Sequence, residues 1–254
     1  TSKNFYEKEV ILKTLNVLMN KKRYIRIKNS NFFLNINKND NLSDEVSSIC
    51  DGRLIWGGDN TINEFRKKWI PERSIDLTFS DRYSISLIDV NKFKKLNLIN
   101  KKKIVRNFFY DTYLMNQLAC NSPHFVFWTG KKDLQTCNLF WNELYDFSKS
   151  HFMLNEKLSI NKYLKMIKNI IEYKFFDNIK KFDNNLYVID INKKIFEIEN
   201  IRGLAGTFFQ TNIKKVDDLK RYITKKCQTV TYFGLKKENF EKLILENNVI
   251  GIDR

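Results

Sequence analysis

Apolar side chains at Phe5, Val10, Ile11, Leu15 and Leu18 recur at the spacing of one helix face, which predicts a helix from Asn4 to Met19. Tyr24 to Lys28 then alternates and reads as a short strand. Asp44 to Ile49 reads as a short helix, and Arg53 to Trp56 as a strand that Gly57-Gly58 ends before a helical pattern from Asp59 to Lys68. Ile75 to Thr78 and Tyr83 to Asp89 are expected as strands on either side of a polar turn, and Lys101 to Leu118 as a long helix. The run Phe125-Val126-Phe127-Trp128 is apolar without alternation, the mark of a strand buried on both faces. Helices are predicted at Asp133 to Ser150, Glu156 to Phe176, Val216 to Lys225 and Lys236 to Glu246. Strands are predicted at Leu186 to Ile191, Ala205 to Thr211 and Thr229 to Phe233. Strands alternating with helices of this length imply an α/β fold with mainly parallel pairing.

Punctuation is sparse. Proline occurs only at Pro71 and Pro123, glycine eight times, and no internal repeat or low-complexity linker is present. A domain boundary is therefore placed by motif, near Asp76 to Asp81, dividing the chain into residues 1–78 and 79–254.

Composition narrows the classes. A chain of 254 residues with 43% hydrophobic and 14% aromatic residues has enough apolar surface for a large core, which excludes a disordered chain. The net charge of +16 invites a nucleic-acid reading. However, the lysines are scattered in short runs such as Lys21-Lys22 and Lys101-Lys102-Lys103, the pattern of a solvated surface. Such a surface equally attracts a dinucleotide or coenzyme A, so no nucleic-acid partner is expected, and a basic binding protein stays the non-enzymatic alternative. Four widely spaced cysteines and two histidines indicate neither a zinc site nor a disulfide framework. No apolar run approaches the roughly 20 residues of a membrane span, and no signal layout opens the chain, so a cytoplasmic location is expected. Thr1 and Arg254 fall against patterned segments, which suggests part of a longer protein.

Three places carry candidate chemistry. Gly57 and Gly58 stand between a strand and a helix, where backbone approaches a phosphate and the helix N-terminus offers free N–H groups; a plain tight turn gives the same pattern. Cys120 follows a long helix and precedes Asn121-Ser122-Pro123, which puts a thiol on a turn, although a buried structural cysteine is the ordinary alternative. His124, four residues on, is placed either to assist that thiol or to cap the strand it begins. Cys50, Cys137 and Cys227 lie in or beside periodic segments and are read as structural, and His151 after a helix carries less weight than His124.

The segments Cys50 to Asp59, Arg73 to Ser84, Ala119 to His124, Gln228 to Gly234 and Gly251 to Arg254, in that order, resemble the fatty acyl-CoA reductase family. That family includes the subunit supplying aldehyde to bacterial luciferase. It is similar to the aldehyde dehydrogenase superfamily, with a nucleotide-binding domain, a domain bearing the cysteine and a cleft between them. The resemblance implies that residues 1–78 are the later part of the nucleotide-binding domain and residues 79–254 the catalytic domain. Earlier strands and a segment beyond Arg254 would lie outside this chain.

By that resemblance Cys120 is the nucleophile of an NADPH-dependent reduction of a medium or long-chain acyl thioester to aldehyde. The acyl group would come from acyl-CoA or from an acyl-transferring protein, and the enzyme would be a homo-oligomer. Gly57 and Gly58 match the diglycine facing the cofactor, and Ser2 and Lys3 the adenosine-ribose contacts, where a lysine suits a 2′-phosphate. The superfamily's hydrolytic glutamate falls near Asp76, but a reductase has no use for that base. Its acidic contact to the nicotinamide ribose, expected around Ile201 to Gly206, has no clear counterpart, Arg202 standing near it. The Cys120 N–H is the oxyanion donor available within this chain. An aldehyde dehydrogenase running oxidatively is the alternative enzyme.

Overall fold

A computed structural model describes residues 5–36, 41–173, 176–191 and 198–247. Contacts divide the chain into two compact units, Thr1–Asp81 and Arg82–Arg254.

The first unit opens with helix α1 (Phe5–Met19) and a 3-10 turn, Lys22–Tyr24, that runs into a short helix α2 (Ile25–Asn29). The strand expected at Tyr24 to Lys28 is thus helical: Ile25 and Ile27 are both largely exposed, so no buried face rewards the alternation. Helix α3 (Leu42–Ser48) precedes strand β1 (Gly52–Trp56), helix α4 (Asp59–Arg66) and strand β2 (Ile75–Phe79). The two strands pair in parallel from Gly52 opposite Ile75 to Trp56 opposite Phe79. Ile55 and Ile62 are buried, whereas Leu54, Trp56, Ile75, Leu77 and Phe79 are exposed.

The second unit is built on a six-stranded sheet. Its strands are β3 (Tyr83–Asp89), β4 (Pro123–Thr129), β5 (Phe176–Phe182), β6 (Leu186–Ile191), β7 (Thr207–Ile213) and β8 (Cys227–Phe233). They lie in the order β5-β6-β7-β4-β3-β8, all pairs parallel except β5 with β6. Both faces are covered, as parallel sheets require. Ile85, Leu87, Phe125, Phe127, Ile189 and Phe209 pack under helices α8 (Glu156–Glu172) and α9 (Glu238–Asn247) and the 3-10 turn Val216–Arg221. Ile88, Val126, Trp128, Val188 and Phe208 pack on the other side under α5 (Val90–Lys95), α6 (Leu98–Thr112) and α7 (Leu134–His151). Neighbours along each strand go to opposite faces, which explains why β4 reads as one unbroken apolar run.

Several expected elements are corrected. Helix α6 stops at Thr112 rather than Leu118, and α8 stops at Glu172. Phe176 instead opens the edge strand β5, whose Lys180 and Lys181 suit an edge. Val216–Arg221 is a 3-10 turn rather than an α-helix, its start tied by the Asp218 carboxylate, which accepts from the Lys214 and Lys215 N–H groups at 3.0 and 3.1 Å. The strands expected at Ile75 to Thr78 and Tyr83 to Asp89 are both present, in different sheets.

Candidate active site

The chain between α6 and β4 is folded back on itself by two consecutive left-handed residues, Asn116 (φ 51°) and Gln117 (φ 61°). The Gln117 N–H donates to the Thr112 carbonyl at 2.8 Å and closes the end of the helix. A tight turn follows, in which the Ser122 N–H donates to the Ala119 carbonyl at 3.0 Å and the Ser122 hydroxyl to the Asp111 carbonyl at 2.8 Å. Pro123, with no N–H to give, then begins β4.

Cys120 stands on this turn with its side chain exposed. Its backbone is fixed by the Ser84 hydroxyl of β3, which donates to the Cys120 carbonyl at 2.7 Å. The Cys120 N–H makes no backbone hydrogen bond among the described residues. The other cysteines differ. Cys137 and Cys227 are buried, and burial pushes both thiols up to about 12, so neither supplies thiolate at neutral pH; Cys50 is half-buried.

His124 is the extra residue of a β-bulge. Ser84 pairs with Pro123 and Ile85 with Phe125, which leaves His124 between them. Its ring is buried, and Nδ1 accepts from the Gly203 N–H at 3.1 Å, which assigns the proton of a neutral ring to Nε2. Burial first, then Arg202 and Lys165, hold its pKa well below the ordinary histidine value.

Gly203 belongs to a segment that enters β7, and this segment is pinned at nearly every residue. The Arg202 carbonyl accepts from Asn169 Nδ2 at 3.1 Å, the Leu204 carbonyl from the Thr207 hydroxyl at 2.9 Å, and the Ala205 N–H donates to the Asn116 carbonyl at 3.0 Å. Ala205 and Gly206 are left-handed, with φ of 48° and 85°. A Cβ on Gly203 would lie 1.9 Å from the Thr207 carbonyl oxygen, and one on Gly206 2.4 Å from that of Asn185, so only glycine fits at either place. Gln117 is fully buried and reaches across to the same segment: its Oε1 accepts from the Gly206 and Thr207 N–H groups, and its Nε2 donates to the Pro123 and Thr207 carbonyls. From the far side Lys162 of α8, also buried, donates from Nζ to the Ala205 carbonyl at 2.8 Å and to that of Asn184 at 2.7 Å.

The diglycine lies in the first unit. Gly58 caps α4 without any side-chain cap, and a Cβ there would meet nothing within 4 Å; one on Gly57 would strike Thr61 Cβ at 2.8 Å. The first turn of α4 therefore has no side-chain cap and open space beside Gly58, with Asp59 as the acidic residue in that turn. Asp76 sits directly opposite Arg53 in the β1–β2 pair and takes it in a two-pronged bridge, Nε to Oδ1 and Nη2 to Oδ2, both at 2.7 Å. The Arg53 hydrogen bonds hold the Asp76 carboxyl below its ordinary value. Ser2, Lys3 and the Gly251 to Arg254 motif lie outside the described residues.

The family model described as Acyl-CoA reductase (LuxC) matches residues 12–254. The chain belongs to the acyl-CoA reductase family. No curated protein matches it significantly. Among solved structures it is similar to AldH of Staphylococcus aureus in a substrate-bound state, with a TM-score of 0.54 and 8% identity over 80% of this chain and 46% of that one. It is also similar to an oxidoreductase from Marinobacter aquaeolei (TM-score 0.56, 8% identity, 82% and 46% covered) and to an NAD-dependent benzaldehyde dehydrogenase from Corynebacterium glutamicum (TM-score 0.52, 7% identity, 84% and 47% covered). At such identities the likeness shows the fold, which is aldehyde dehydrogenase-like, as the sequence resemblance implies. The chain spans about half the length of these relatives. Among the described residues no helix is long and apolar enough to cross a membrane.

In this acyl-CoA reductase family chain, Cys120 stands exposed on the turn and His124 buried in the bulge that follows it, both in the second unit, whereas Gly57 and Gly58 belong to the first. Sequence reasoning missed Gln117, Lys162 and the Gly203–Gly206 segment. The signal present was a pair of glycines three residues apart, two of only eight, just before a strand.

Proposed function

We propose that the protein reduces a medium or long-chain acyl thioester to the fatty aldehyde through an S-acyl intermediate on Cys120, with NADPH as reductant. The observation that carries this reading is the exposed Cys120 residue on a turn held by the Ser84 hydroxyl at the Cys120 carbonyl and by the Gln117 amide at the Pro123 carbonyl, in a family of acyl-CoA reductases. The Cys120 thiolate attacks the acyl carbonyl carbon, the bond to the leaving thiolate breaks, and the acyl group remains on the cysteine as a thioester. During attack the free Cys120 N–H is available to the developing oxyanion. A reduced nicotinamide, when bound, supplies the hydride that takes the acyl carbon to the aldehyde level.

Gly57, Gly58 and the uncapped opening turn of α4 are proposed to hold the cofactor's pyrophosphate, and Ser2 and Lys3 its adenosine ribose and 2′-phosphate. The acyl donor is acyl-CoA or an acyl-transferring protein, and the enzyme acts as a homo-oligomer. His124 contributes by holding Gly203 beside the nucleophile's turn. Asp76 is taken up in its bridge to Arg53, in keeping with a reductase that has no use for a hydrolytic base. The test is turnover of an acyl-CoA by the intact protein: aldehyde and coenzyme A should form in equal amounts with NADPH. Oxidation of aldehyde with NADP⁺ in the absence of coenzyme A, at a rate above that of the thioester reaction, would overturn the reading.

A further inference from the structure

The buried Gln117 side chain makes four hydrogen bonds, and the chemistry just described does not use it. All four go to backbone: Oε1 accepts from the Gly206 and Thr207 N–H groups at 3.2 and 3.1 Å, and Nε2 donates to the Pro123 carbonyl at the start of β4 and to the Thr207 carbonyl at the start of β7, at 3.1 and 3.0 Å. Its bonds reach both sides of the nucleophile's turn, since Gln117 lies three residues before Cys120 and Pro123 three residues after it. The residue itself is left-handed, at φ 61°, and fully buried, a conformation that its N–H bond to the Thr112 carbonyl and these four side-chain bonds support. Around it, the Asn116 carbonyl takes the Ala205 N–H, and Lys162 holds Ala205 from behind.

We infer that Gln117 is a positioning residue for Cys120: its amide bolts both ends of the turn to the rigid entry of β7 and so sets where the thiol meets an acyl carbonyl. This rests on the reading of Cys120 as acyl acceptor. A free amide is required on geometric grounds. Methionine keeps the length and removes all four bonds. Glutamate keeps the two bonds at Oε1 but, when ionised, turns a carboxylate oxygen toward the Pro123 and Thr207 carbonyls, which repel it. When protonated it restores one donor.

The experiment measures acylation of Cys120 by labelled dodecanoyl-CoA, without cofactor, in the intact protein and in its Gln117→Met and Gln117→Glu variants. It is paired with steady-state turnover and circular dichroism. Gln117→Met is expected to acylate on the order of 100-fold more slowly, the effect of displacing a reacting group by about an ångström, with kcat lowered and KM for dodecanoyl-CoA within about threefold of wild type. Gln117→Glu, normalised to wild type at each pH and held well below its melting temperature, is expected to lose acylation rate as pH rises through the carboxyl's titration. Wild-type protein that takes no label at Cys120 would overturn the functional reading and this inference with it. Label on wild type, with both variants folded and within about threefold of its rate, would overturn the inference and leave the reading intact. If Gln117→Met fails to fold, the normalised pH profile of Gln117→Glu decides, a flat profile counting against the inference.

Discussion

Burial of Lys162 ties the stability of this fold to pH in a direction that can be worked out. The ammonium sits between the Asn184 and Ala205 carbonyls, 4.2 Å from the centroid of the Tyr187 ring, and burial lowers its pKa from 10.5 to about 7. The folded value lies below the unfolded one. The unfolded chain therefore binds the extra proton between these limits, and stability rises with pH across that window. The contribution is complete above about 10.5 and is lost as pH falls toward about 7. From pH 7 to pH 9 the gain is roughly 2 kcal/mol, at about 1.4 kcal/mol for each pH unit with allowance for partial titration near pH 7. Burial keeps Tyr187 above its ordinary value, so it does not titrate in this range. Lys162→Met removes the titration and leaves two carbonyls unpaired, at a cost of about 1–3 kcal/mol each. Urea melts of wild type and Lys162→Met at pH 7 and pH 9 separate the two effects. The stability difference should widen by roughly 2 kcal/mol at pH 9. A difference that stays constant between the two pH values would refute the assignment of a perturbed, buried ammonium to this site.

Asp76→Asn should lower stability by about 2 kcal/mol, because Arg53 loses a two-pronged partner at a largely buried position. The same variant should leave hydrolysis of the S-acyl enzyme unchanged when fatty acid release is followed, whereas slower release would make Asp76 the base after all. The Asp76 carboxyl is held below its ordinary value, so the wild-type advantage over Asp76→Asn should be present above that value and shrink as pH falls through the lowered one. His124→Asn, whose amide oxygen can replace Nδ1 toward Gly203, should retain several-fold more activity than His124→Ala, with the pH–rate profile between pH 5.5 and 8 keeping its wild-type shape. Loss of an ionisation from that profile would make His124 a proton carrier. Gly206→Ala should be destabilised by several kcal/mol in thermal melts, given φ of 85° and a contact at 2.4 Å. Gly58→Ala, with open space around it, should melt as wild type does.

The legibility of this molecule in its sequence followed burial. Strand β4 could be read because Phe125 to Trp128 is covered on both faces, and α7 because its apolar stripe packs on one side only. The segment Tyr24 to Lys28 misled because nothing buries either of its isoleucines, so its alternation carried no tertiary information. Strand β5 was missed, its first residue Phe176 ending the expected helix, because an edge strand bearing Asp177, Asn178, Lys180 and Lys181 shows no alternation of apolar and polar positions. At the site, Cys120 was visible through its neighbours and the ordered family motifs. Gln117 was invisible for a physical reason: its partners Gly206 and Thr207 lie 89 and 90 residues away, and only the pairing of β4 with β7 brings them together. The bulge at His124 was likewise beyond local pattern, since it exists only as a register difference between β3 and β4.

The central claim is that Cys120 accepts the acyl group. The most direct measurement is to incubate the intact protein with labelled acyl-CoA and no reduced cofactor, digest it, and locate the label by mass spectrometry. The account predicts one acyl group per chain on the peptide carrying Cys120, no label on Cys50, Cys137 or Cys227, and none on Cys120→Ser. Labelling of Cys120→Ser to the wild-type extent would contradict it.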